Sequence, residues 1–119
     1  MTRPEITNFR DLTFSKWIRE NLPDSKLGFL VSDLDFILCN YKTKKVMLLE
    51  IKTHNKEQSL WQKILFANLD KWIMKGIYPN WQYLGFHIIM FENTNFNDGL
   101  VFFDNEEITE KELIYQLSF

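Results

Sequence analysis

Asp35, Glu50 and Lys52 are the residues of this chain whose types and spacing suit chemistry. They lie in, or border, two apolar runs, residues 36–38 and 46–51, separated by the polar stretch 40–45. That pattern predicts a β-hairpin. Charged side chains are rare in such strands unless they are paired or bound to a metal. Because side chains alternate along a strand, Glu50 and Lys52 share one face with Val46 and Leu48, while Met47, Leu49 and Ile51 take the other. A strand apolar on both faces reads as central. Two clustered carboxylates repel each other without a cation, so two acids and an amine at the end of a buried hairpin favour a metal. A salt bridge between Glu50 and Lys52 on an edge strand is the structural alternative.

The elements that must position these residues follow from periodicity. Asn8 is a suitable helix N-cap, and Phe14, Trp17, Ile18 and Asn21 follow at helical spacing before Pro23 stops the run. Asp11 falls on the inward edge of that helix, where it either caps the first turn or adds a third carboxylate to the site. Residues 28–31 predict a short strand ahead of the hairpin. Ser59 and Gln62 form a capping-box pattern, and Trp61, Ile64, Leu65, Leu69, Trp72 and Ile73 repeat at three and four residues, a stripe that reads as core packing, with Gly76 as the stop. Residues 81–91 are apolar on both faces and predict a second central strand. A turn at 93–99, a last strand at 100–103 and a terminal helix opened by a capping box at Thr109 and Glu112 complete the chain.

Length and composition narrow the classes. The 119 residues suit one domain, and 45% hydrophobic content with 16% aromatics excludes disorder. The N-terminal residues lack the apolar core of a secretion signal and no run is long enough to span a bilayer, so an intracellular, cytoplasmic location is expected. Cys39 stands alone, which excludes a disulfide framework and a four-cysteine metal site, and it reads as packing. His54 and His87 are the only histidines, too few for a histidine-based metal site. The net charge of -2 hides an uneven distribution: residues 42–75 carry eight lysines against three acids, whereas residues 92–112 carry seven acids against Lys111. The lysine-rich part suits either a polyanion or plain solvent, and the acidic part 104–112 suits a protein partner.

With hairpin and element order in place, the chain resembles the PD-(D/E)XK nuclease superfamily, whose restriction-endonuclease-like core runs αβββαβ. Asp35 looks like the acid that opens its second strand, and Glu50-Ile51-Lys52 like its Glu-x-Lys signature. The likeness spans roughly residues 8–91, with Leu34 where the naming proline would stand. Asp33, two residues away on the same face, competes with Asp35. The resemblance implies an α/β fold with a mixed central sheet flanked by helices, followed by an extra strand and a C-terminal helix. It further implies a small phage or viral type of DNA endonuclease, expected as a homodimer. Asp35, Glu50 and the Ile51 carbonyl would hold Mg²⁺, or Mn²⁺ in its place, and Lys52 would orient the attacking water or stabilise the transition state. Gln62 is similar to a glutamine of exonuclease-like branches, although Phe66 stands where their tyrosine would follow, and Asp11 to an extra ligand of junction-resolving branches. Lys42, Lys44, Lys45, Lys56 and Lys63 are candidate phosphate contacts. Trp81 and Tyr83 suit either base stacking or core packing. The alternative is a catalytically silent DNA-binding or protein-interaction module that keeps the fold.

Overall fold

A computed structural model describes residues 13–119 of the chain. They fall into two compact units, one ending at Val31 and one covering Ser32–Phe119. In the first, helix α1 (Thr13–Asn21) is terminated as its sequence predicts, with the Asn21 side chain donating to the Trp17 carbonyl at 2.8 Å just before Pro23. Phe14 and Trp17 stack with centroids 5.3 Å apart. The helix start at Asn8 and the acid Asp11 lie outside the described residues.

The strand expected at residues 28–31 does not form. Instead Asp24 caps a 3-10 turn, Ser25–Leu27, by accepting from the Lys26 N–H, and Gly28 closes it at φ +87°. Four apolar residues after a turn carry no period that distinguishes a strand from irregular chain. The observed order is therefore α, β, β, α, β, β, β, α rather than αβββαβ with additions.

The second unit is a mixed five-stranded sheet in sequential order, β1 (Phe36–Asn40), β2 (Lys45–Lys52), β3 (Gln82–Phe91), β4 (Val101–Phe103) and β5 (Glu106–Glu107). The hairpin β1–β2 pairs Phe36 with Leu49 and Asn40 with Lys45. Helix α2 (Leu60–Gly76) then carries the chain back so that β3 runs parallel to β2, as a crossover connection requires. Both β2 and β3 are central, as their two-sided apolar patterns predict. Strand β5 escaped the sequence because it is two glutamates long; Asp104 and Asn105, both at positive φ, form the tight turn that pairs Phe103 with Glu106.

Alternation along β2 divides the core. On one face Leu49, Ile89, Phe91 and Val101 are buried with Leu113 of α3 (Glu110–Leu117), whose capping box between Thr109 and Glu112 is complete. On the other face Leu48 is buried and Phe66 of α2 stacks on Phe86 at 4.8 Å. Cys39, expected as packing, is exposed on β1, an edge strand among the described residues. No helix of the described residues is long and apolar enough to cross a membrane.

Candidate active site

The antiparallel register places Asp35, one residue before Phe36, opposite Glu50. The two lock together reciprocally: the Asp35 N–H donates to Glu50 Oε1 at 3.2 Å, and Asp35 Oδ2 accepts from the Ile51 N–H at 2.8 Å. This clasp fixes both carboxylates at the point where β1 begins and β2 ends. Glu50 is 3% exposed, the one buried charged side chain among the described residues. Burial, then the hydrogen bond and negative charge of Asp35, push its carboxyl up to about 7, against the Asp35 N–H and the Lys52 charge, which pull it down. Burial and the neighbouring Asp35 thus disfavour the charged form of Glu50 more than the nearby Lys52 favours it. Asp33 is exposed in the irregular segment ahead of β1, and it is Asp35 that the hairpin register sets opposite Glu50.

Lys52, half-buried on the same face as Glu50, directs its amine to Gln62 Oε1 at 3.2 Å rather than into an ion pair with Glu50. Gln62 is positioned by the start of α2, where Ser59 Oγ accepts from the Gln62 N–H. The capping box read from Ser59 and Gln62 is therefore half formed. The serine caps the helix, and the glutamine side chain is spent on Lys52 instead of reaching back to Ser59.

The inward face of α2 runs through Gln62, Phe66, Leu69 and Ile73, so the apolar stripe read as core is split. Leu65, Leu69 and Ile73 turn in, whereas Trp61, Ile64 and Trp72 are exposed. The apolar ribbon on α2 is wider than its contact with the sheet, and aromatic side chains at its edge stand out. Trp61 was legible in sequence only as part of that stripe; its neighbour Gln62, polar at an inward position, is the signal that the inward face is rotated.

The candidate phosphate contacts do not form one surface around the site. Lys56 and Lys63 follow β2 and lie at the site end, Lys63 3.6 Å from Glu57. Lys42, Lys44 and Lys45 occupy the β1–β2 turn at the other end of β2; seven residues of strand rise separate Lys45 from Lys52, ~23 Å. Lys44 packs its amine over the Trp81 ring at 5.4 Å, and Tyr41 meets that ring edge-on, so Trp81 is occupied far from the carboxylates. Tyr83 is drawn inward beside Asp70, where burial and that carboxylate raise its phenol above the usual range. Asp70 also accepts from the Phe86 N–H at 3.2 Å, in the bulge where Gly85 takes φ +97°. His54 is exposed in a turn at φ +57°, its N–H donated to the Asn93 carbonyl. No group of three or more His, Cys, Asp or Glu side chains converges among the described residues.

These features define a mixed α/β protein with two carboxylates and an amine gathered where β1 begins and β2 ends. No family model and no solved structure matches the chain. It is similar to an uncharacterized protein of Archaeoglobus fulgidus, 27% identical over 96 residues that cover 80% of this chain. That stretch amounts to 63% of the relative's length, so the chain spans less than two thirds of it.

Proposed function

We propose that this chain is a metal-dependent nuclease that hydrolyses DNA phosphodiester bonds. One observation carries the proposal: a buried carboxylate, Glu50, is clasped in register to a second, Asp35, while the nearby Lys52 amine is held by Gln62 instead of neutralising either. Such a pair is costly to the fold and is repaid by binding a cation. The donor set fits Mg²⁺, which takes one or two carboxylates and retains several waters, so a third acid is not required. Asp35, Glu50 and the Ile51 carbonyl would hold the ion, with Mn²⁺ able to substitute. When bound, it supplies acidity to water and offsets charge on the phosphate.

The remaining roles belong to the chain. Hydrolysis joins a water oxygen to phosphorus, breaks the bond to one flanking nucleotide oxygen and leaves that oxygen protonated. Lys52 orients the water or stabilises the added negative charge, and Gln62 keeps the amine from collapsing onto Glu50. Lys56 and Lys63 contact phosphates beside the site, and Lys42, Lys44 and Lys45 contact the backbone of a longer substrate ~23 Å along the sheet. A homodimer would let two such sites engage both strands of a duplex.

The test is to incubate the protein with single-stranded, double-stranded and branched DNA and an RNA control in Mg²⁺, Mn²⁺ or EDTA, beside Glu50→Ala and Lys52→Ala. Metal-dependent cutting by the wild type, absent in both variants, is expected. Binding to DNA without cutting in either metal would overturn catalysis in favour of a silent DNA-binding module.

A further inference from the structure

The first turns of α2 carry an exposed apolar patch on residues flanking Gln62, whose side chain holds the Lys52 amine. Trp61 is 55% exposed and is flanked by Leu60 and Ile64, also exposed, one helical turn apart. Gln62, the next residue after Trp61, is the one that holds Lys52. The surrounding segment 52–63 contributes Lys52, Lys56 and Lys63 against Glu57, so the patch lies in the positive part of the chain. An aromatic face set among lysines is what a polynucleotide strand recognises when its bases are free. The lysines follow the phosphates, and the ring stacks on a base whatever its identity. A base inside an intact duplex is already paired and stacked and offers no free face.

We propose that Trp61, supported by Leu60 and Ile64, is a stacking platform for an unpaired base, which makes single-stranded or frayed polynucleotide the preferred substrate of the Lys52 end of the sheet. The proposal deepens the nuclease reading and rests on it for the chemistry that follows binding. The same helix supplies its own control. Trp72 lies eleven residues on, on the same side of α2 and 61% exposed, but ~16 Å further along the axis, away from Lys52.

The experiment measures binding of a short fluorescent oligothymidylate and of a blunt DNA duplex by anisotropy in EDTA, for wild type, Trp61→Ala, Trp61→Phe and Trp72→Ala. Circular dichroism confirms that each variant is folded. Trp61→Ala should weaken single-strand binding by roughly five- to a hundred-fold, the range of one lost base stack, and leave the duplex affinity unchanged. Trp61→Phe should recover most of the loss and Trp72→Ala should match the wild type. Unchanged single-strand binding in Trp61→Ala overturns the platform. So does an equal loss from Trp72→Ala, which would make the helix face a general apolar surface for a protein partner. Cleavage in Mg²⁺ is read separately: cutting with Trp61-independent binding removes the platform and leaves the nuclease, whereas Trp61-dependent binding without any cutting removes the nuclease and leaves a single-strand binding module.

Discussion

Two pairs of ionisable side chains occupy neighbouring levels of the sheet on its opposite faces, and they solve the cost of burial in opposite ways. His87, on β3 beside Leu49, donates Nδ1–H to Asp104 at 2.5 Å and Nε2–H to the Leu84 carbonyl at 2.6 Å, with its ring stacked on Phe103. Both ring nitrogens face acceptors, an arrangement that favours the protonated imidazole. The Asp104 hydrogen bond raises its pKa despite burial, and the Leu84 carbonyl and the charges of Asp104 and Asp70 add to it. Burial opposes ionisation of Asp104, yet the hydrogen bonds from His87 and from the Ile88 N–H, at 2.9 Å, hold its carboxyl low. Every group has a partner of opposite character, and the effect is to pin the β4–β5 turn to β3. Asp35 and Glu50 each accept a backbone N–H, but among the described residues neither has a cationic hydrogen-bond partner. The first pair serves the fold, and the second is the one we propose serves a bound cation.

Substitutions at four positions sharpen that contrast. The largest effect belongs to Glu50→Gln, which should lower cleavage by at least about a hundred-fold while stabilising the metal-free protein. Because folding raises the Glu50 pKa above its unfolded value, the folded state holds the proton more tightly, and stability falls as pH rises from about 4.5 to about 7. Glu50→Gln therefore gains on the order of 1–3 kcal/mol at alkaline pH and little in acid, a trend that melts in EDTA would read. Lys52→Ala should also abolish cutting, with only a small change in melting temperature, since its amine is bound to a side chain that can turn to water.

Gln62→Ala should cost roughly ten-fold in turnover, since the amine is then free to fall toward Glu50, while Gln62→Glu should restore its position. A lowered turnover with unchanged DNA affinity would distinguish positioning from binding. The smallest effect is Asp104→Asn, expected to cost about 1 kcal/mol after allowance for solvent screening, because Asp104 is partly exposed. His87 titrates with a raised folded pKa, so this stability is fully present below its unfolded value of about 6.5 and is lost as pH rises through the folded value. Denaturant titrations across that window should show the difference between wild type and Asp104→Asn closing with pH, with cleavage unaffected throughout.

Much of this contrast was legible in the residues. Glu50 and Lys52 on one face of a central strand follow from alternation, and Asp35 enters through hairpin register; α2, β3 and α3 follow from periodicity and capping. The absence of a strand at residues 28–31 was not legible, since a short apolar run beside Gly28 fits a capped turn equally well. Exposure of Trp61 and Trp72 was hidden because helical periodicity defines a stripe but not how much of it a sheet covers. The separation of Lys42, Lys44 and Lys45 from the site depends on strand length and direction, which charge counting ignores. The His87–Asp104 pair depends on a turn of two residues whose partner strand is too short to show a pattern.

Binding of a divalent cation by Asp35 and Glu50 is the central point to test. Thermal melts of wild type, Asp35→Asn, Glu50→Gln and Asp104→Asn with increasing Mg²⁺ or Mn²⁺ decide it. The melting temperature should rise with metal in the wild type and in Asp104→Asn, and stay flat in Asp35→Asn and Glu50→Gln. A wild type that does not respond to either metal, or a Glu50→Gln variant that responds as strongly as the wild type, would contradict it.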